Sequence, residues 1–175
     1  MWRELSFIGM AVASVAFRQC ETKSKKAQSQ THTSSETALY IKVARTPCFG
    51  RCPIDVVELL PDGTVRYEGE RFVSRLGVYT RRLSAAERKE AERILRESSF
   101  HQYAEVYDNP GITDLPSLIL VYRLEGSEKK ITCRTGCPPD LPEKIERLRA
   151  FLADQGDFQM VKGPQEETLS DPGND

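Results

Sequence analysis

From Leu39 to Ala44 the chain alternates apolar and polar side chains, the period of two that lays every second residue on one face of a strand; Ile54 to Leu60 reads as a second strand. Pro61-Asp62-Gly63 is a turn that leads into Thr64 to Glu68, which predicts a hairpin. Arg71 to Leu83 carries Phe72, Val73, Leu76, Val78 and Tyr79 and predicts one long strand or a strand broken at Gly77. The period then changes. Ser84-Ala85-Ala86-Glu87 has the form of a capping box, in which a hydroxyl and a carboxylate satisfy the first free amides of a helix. That helix should run to about Glu97 and bury Ala91, Ile94 and Leu95.

Phe100 to Pro116 reads as a loop anchored by Phe100, Tyr103 and Tyr107. Ser117 to Leu124 and Lys129 to Arg134 form a second hairpin around Glu125-Gly126-Ser127. Asp140-Leu141-Pro142-Glu143 is a second capping pattern, with proline in the first turn, and opens a helix that buries Ile145, Leu148, Phe151 and Leu152 before Gly156 ends it. The order β-β-β-(β)-α-β-β-α uses hairpins rather than parallel crossovers. It predicts an α+β domain, an antiparallel sheet with two helices on one face.

Outside this unit the composition shifts. Leu5 to Phe17 is an apolar run behind Arg3, too short to cross a hydrocarbon core of roughly 30 Å and of the length of an export signal. Cleavage after Ser14-Val15-Ala16 competes with a lipoprotein reading in which Cys20 carries the lipid, although Phe17-Arg18-Gln19 makes a poor lipobox. Residues 21–38 hold eight Ser or Thr, the composition of a flexible tether. Residues 156–175 hold one Lys against five acids and are expected to be a disordered acidic tail. The division is therefore a signal over 1–20, a tether over 21–38, one α+β domain over 39–155 and the tail. The expected place is a bacterial cell envelope, facing the periplasm or the cell surface, with the membrane as partner through Cys20.

Charge removes one class of partner. The 25 Lys and Arg against 26 Asp and Glu give a net charge of -1, without the positive field that nucleic-acid binding requires. The two histidines, His32 and His101, limit acid-base and metal chemistry, and no phosphate loop, nucleophile elbow or H-E-x-x-H motif occurs.

Cys48-Phe49-Gly50-Arg51-Cys52-Pro53 and Cys133-Arg134-Thr135-Gly136-Cys137-Pro138 share the spacing C-x-x-x-C-P. In an oxidising compartment these four thiols form structural disulfides, either within each motif or between them. Two other readings compete. Four thiolates furnish the ligands of tetrahedral zinc. The spacing also resembles the copper motif of thioredoxin-fold chaperones, but those place it before a helix and add a distal histidine, whereas Pro53 leads into a strand here.

Thr46-Pro47-Cys48-Phe49-Gly50-Arg51-Cys52-Pro53, followed by Asp62-Gly63-Thr64-Val65-Arg66-Tyr67-Glu68-Gly69, resembles the opening of a bacterial domain-of-unknown-function family, the one numbered 6438. Thr113-Asp114-Leu115-Pro116 is similar to that family's loop before its second hairpin, and the likeness covers Leu39 to Leu152. The resemblance implies an envelope lipoprotein or secreted protein and carries no catalytic residues. It also favours a disulfide within Cys48–Cys52 over one that joins the two motifs.

Three weaker candidates complete the reading. Asp108 and Asp114 could face a cation, but side-chain turn bonds beside Pro110 and Gly111 account for them as well. Arg66, Arg71, Arg75, Arg81 and Arg82 could form a basic strip, although Glu68 and Glu70 interrupt it. His101 lacks a local catalytic signature. The expectation is thus a non-enzymatic envelope module, without a cofactor, that binds a protein or glycan; the alternative is a thiol-based redox, zinc or copper protein using Cys48, Cys52, Cys133 and Cys137.

Overall fold

The computed structural model describes residues 38–164; the stretches read above as export signal and as tether before Ala38, Cys20 and residues 165–175 lie outside them. The chain folds as β1 (Tyr40–Arg45), β2 (Ile54–Leu59), β3 (Thr64–Arg71), β4 (Gly77–Arg82), α1 (Ala85–Glu97), a short 3-10 turn (Phe100–Gln102), β5 (Val106–Tyr107), β6 (Leu118–Leu124), β7 (Ser127–Cys133), α2 (Leu141–Ala153) and β8 (Gln159–Lys162). Among the described residues the strands make one eight-stranded sheet in the order β5-β7-β6-β1-β2-β3-β4-β8. All its pairs are antiparallel except β5 beside β7. The α+β class and the two hairpins read from the sequence are present.

Strand parity decides which face is buried. Ile41, Val43, Val57, Leu59, Val65, Tyr67, Leu120, Tyr122, Ile131 and Cys133 share one core with Ala91, Ile94 and Leu95 of α1 and Leu141, Ile145, Leu148 and Leu152 of α2. Both helices therefore cover the same face. Phe151 is only half-buried against this core, short of the full burial the helical spacing predicts. The opposite face carries ion pairs instead: Lys42 to Glu58 at 3.0 Å, Arg66 to Glu68 at 2.7 Å and Arg123 to Glu128 at 2.6 Å.

The first capping box forms as read. The Glu87 amide donates to the Ser84 hydroxyl at 3.2 Å and the Ser84 amide donates to the Glu87 carboxylate at 2.8 Å. At the second helix Asp140 occupies the N-cap but makes no side-chain cap bond. Its carboxylate instead accepts from the Tyr103 hydroxyl at 2.6 Å and pairs with Lys144 at 2.9 Å, two partners that outcompete a free amide for one short side chain.

Three expectations need correction. Of the two readings of 71–83 the broken strand holds and the long strand does not, with the break wider than Gly77 alone: residues 72–76 leave the ladder and β4 starts at Gly77, where a Cβ would sit 2.5 Å from the Lys162 carbonyl oxygen. The loop 100–116 contains β5, whose two residues are too few to show a period. Residues 156–162 are not tail, because β8 pairs with β4 and Phe158 packs against the core. No helix among the described residues is long and apolar enough to cross a membrane.

Candidate functional site

The four thiols pair within their own motifs. Cys48–Cys52 closes the loop between β1 and β2, Cys133–Cys137 closes the loop between β7 and α2, and the Cα atoms lie 5.8 Å apart in each. The connection between motifs left open by the sequence does not form. Among the described residues no group of three or more His, Cys, Asp or Glu is placed to hold a metal ion.

The first disulfide loop is tied to the chain before β6. The Thr46 amide donates to the Ser117 carbonyl at 3.0 Å, the Ser117 amide donates to the Thr46 hydroxyl at 2.7 Å, and the Phe49 amide donates to the Asp114 carbonyl at 3.2 Å. Thr46, Phe49 and Asp114 of the quoted motifs therefore adjoin, with Phe49 91% exposed. Asp62 and Gly63 sit at the other end of β2, in the turn to β3, where Asp62 accepts from the Thr64 amide and hydroxyl at 2.9 Å each. Those bonds hold the Asp62 carboxyl below its ordinary pKa.

Between these loops and α2 runs a trough. Its apolar compartment, about 270 Å³, is lined by Arg45, Cys52, Pro53, Pro116, Ser117, Leu118, Cys133, Pro142 and Glu146. Its polar compartment, about 400 Å³, is lined by Arg45, Pro53, Asp55, Tyr67, Phe72, Val73, Ser74, Arg75, Arg149 and Asp154. Arg45 and Pro53 line both, so the two compartments adjoin. Pro142, Glu146 and Arg149 fall at the four- and three-residue spacing that puts side chains on one helix face, and α2 thereby forms one wall. At 1.5 Å per residue the wall from Pro142 to Asp154 is about 18 Å long.

The floor of the polar compartment is built on Asp55, which is 2% exposed. Arg45, its cross-strand partner, donates from Nε to Oδ1 at 2.7 Å and from its second nitrogen to Oδ2. The Tyr67 hydroxyl donates to Oδ2 at 3.2 Å, and Arg149 reaches the same oxygen at 3.4 Å. A buried carboxylate survives only when paired this fully. Burial first, and then the Asp55 charge and hydrogen bond, push the Tyr67 phenol up to about 12, so it keeps its proton at neutral pH and offers no phenolate base.

Arg75 reaches the compartment from the β3–β4 connection. Its backbone folds over Gly69, where a Cβ would lie 1.8 Å from the Arg75 carbonyl oxygen. The guanidinium stands 4.6 Å from the ring centre of Phe158, 5.1 Å from that of Tyr67 and 5.8 Å from that of Tyr79. One terminal nitrogen donates to the Ala153 carbonyl at 2.9 Å, while the other is buried without a hydrogen-bond partner.

The other sequence candidates disperse. Asp108 pairs with Arg134 at 3.4 Å, Asp114 accepts from its neighbour Thr113, and the turn bond expected of an Asp comes from Asn109, which accepts from the Gly111 amide at 3.0 Å. The arginine strip is split: strand parity puts Arg66 on the open face and Arg81 on the helix-covered side, Arg75 reaches that second side from the β3–β4 connection, outside the ladder, Arg71 is exposed at the end of β3, and Arg82 pairs loosely with Asp62. His101 is exposed on the 3-10 turn. Sequence reasoning misses Arg45, Asp55, Arg149 and Phe158, and names Tyr67 only within a family motif. A signal existed for two of them, because Arg45 and Asp55 occupy the inward parity of β1 and β2 alongside Val43 and Val57.

Fold and cysteine pairing together define a small α+β domain with two local disulfides. The family described as a domain of unknown function, DUF6438, matches residues 39–153, and the chain belongs to it. No curated protein matches the chain.

Proposed function

We propose that this chain is an exported, non-enzymatic binding module of a bacterial cell envelope, anchored through lipid on Cys20, with the trough as its binding surface. One observation carries the reading: Cys52 and Cys133, from two separate disulfides, line the same compartment. Each disulfide removes freedom from a loop that borders the trough, and a site held open before binding loses less entropy when it is filled. Disulfides of this kind suit an oxidising compartment, in agreement with the export signal read before Cys20. The trough supplies cationic, hydroxyl and apolar groups but no phenolate, and Asp55 is committed to two arginines and a tyrosine.

The test has two readouts on chain exported to a bacterial envelope. Intact mass should show four hydrogens lost and a diacylglycerol added, the latter abolished by Cys20→Ser. Amide spectra with an envelope extract should move Arg45, Ser117, Ser74 and Arg149. Thiols that titrate freely or bind zinc, or shifts confined to the open face around Lys42 and Glu58, would overturn the reading.

A further inference from the structure

Resting on that reading, we propose that the trough takes an apolar chain that ends in an oxyanion, its head beside Arg75 and Arg45 and its body between Cys52 and Cys133. Charge pairing along the trough is uneven. Three arginines and three acids line it, but the acids gather on two of the arginines. Asp55 takes Arg45 and Arg149, while Glu146 and Asp154 both turn to Arg149 at 2.7 and 3.6 Å. Arg75 is left with no acid within ion-pair distance among the described residues.

Arg75 is nonetheless a built feature. Three aromatic rings and the Ala153 carbonyl hold its guanidinium in place, and β8 exists at a position that delivers Phe158 to it. Ring faces offset only part of the cost of withdrawing a cation from water, and a buried nitrogen without an acceptor adds to that cost. An oxyanion in the polar compartment meets this unpaired charge, with Ser74 also on the lining.

The apolar compartment decides the other half of the ligand. Three of its lining residues, Pro53, Pro116 and Pro142, have no amide to donate, and Cys52, Leu118 and Cys133 add apolar surface. The remaining lining residues, Arg45, Ser117 and Glu146, already bond to Asp55, Thr46 and Arg149, so a peptide backbone placed there would replace few of its bonds to water, whereas a hydrocarbon loses nothing. At about 270 Å³ it lies just below the usual range for small-molecule sites, which suits a single chain rather than a ring system.

The experiment is calorimetric titration of the exported full chain carrying Cys20→Ser, which keeps detergent out of the assay. Decanoate, decyl phosphate and decanol serve as probes, with resonance mapping of the bound state. Both anions should bind at least tenfold more tightly than decanol and shift Arg75, Arg45 and Ser117 together; the tighter of the two identifies the head as carboxylate or phosphate. Arg75→Met should remove that preference, while Arg66→Met on the open face, with the same loss of charge, should leave both the preference and decanol binding as in the native chain. Equal binding of decanol and the anions in the native chain, a comparison that needs no variant, overturns the ligand class. Absence of all three probes from the trough while an envelope extract still shifts it overturns the ligand class alone; a trough silent to both overturns the binding reading as well.

Discussion

Arg45 and Asp55 face each other across β1 and β2, and the guanidinium closes on both oxygens of a carboxylate that water scarcely reaches. The pair stands where the two compartments adjoin, since Arg45 lines both and Asp55 anchors it. Removing one member of a buried pair leaves the other charged and uncompensated. Asp55→Asn should therefore cost about 3 kcal/mol in urea unfolding. Tyr67→Phe, which removes only the 3.2 Å donor to the same carboxylate, should cost about 1 kcal/mol. Equal losses from the two variants would mean that the pair adds nothing beyond an ordinary hydrogen bond.

The cap of α1 gives a prediction in pH. The Ser84 amide bond first, and then the Arg81 guanidinium at 2.7 Å, hold the Glu87 carboxyl down to about 2. A carboxyl depressed in the folded state contributes stability that is complete above its unfolded pKa of about 4.3 and is lost as the pH falls toward 2. Glu87 is about a third exposed, so solvent screening keeps the contribution modest. Glu87→Gln should flatten the fall in thermal midpoint between pH 4.5 and 2 without changing its slope above pH 6. Ser84→Ala should cost about 1 kcal/mol at neutral pH.

The two disulfides should differ in worth although each closes a loop of the same separation. Loop entropy alone gives each about 2 kcal/mol. Cys133, however, is buried in the core at the end of β7, whereas Cys48 and Cys52 are half-buried in a surface loop. Replacing Cys133 and Cys137 by serine therefore also buries a hydroxyl. Denaturant midpoints should fall further for that double variant than for Cys48→Ser with Cys52→Ser, and the reverse order would mean that the first loop supports more of the fold than its exposure implies.

How much of this could be read in advance follows the physics of each signal. The hairpins, the α1 cap and the helix faces were legible because period and turn chemistry act locally, as at Pro61-Asp62-Gly63 and Ser84 to Glu87. Neither β5 nor β8 was, because a two-residue strand has no period and β8 is a four-residue edge strand whose side chains are all exposed, with no buried face to set an alternation. The cysteines were legible as a spacing, but their pairing and their meeting on one trough depend on tertiary placement. Arg75 was noticed as one of five arginines. Its separation from Arg66 depends on the chain leaving the ladder at residue 72.

The corrected end of the domain yields the last prediction. Phe158 stands beyond α2 where the composition turns acidic, yet its ring meets Tyr67 at 6.4 Å and stacks with both Arg75 and Arg81. Aromatic and cation contacts of this kind are each worth about 1 kcal/mol when partly desolvated. Phe158→Ala should lower stability by about 2 kcal/mol and raise hydrogen exchange at β4, whose ladder with β8 depends on the chain turning at that point. A chain ending at Gln155 should lose at least as much, because it lacks β8 as well as the ring. If that shortened chain unfolds at the native midpoint, β8 and Phe158 contribute nothing to the fold, and Arg75 is not held by the cage that surrounds it.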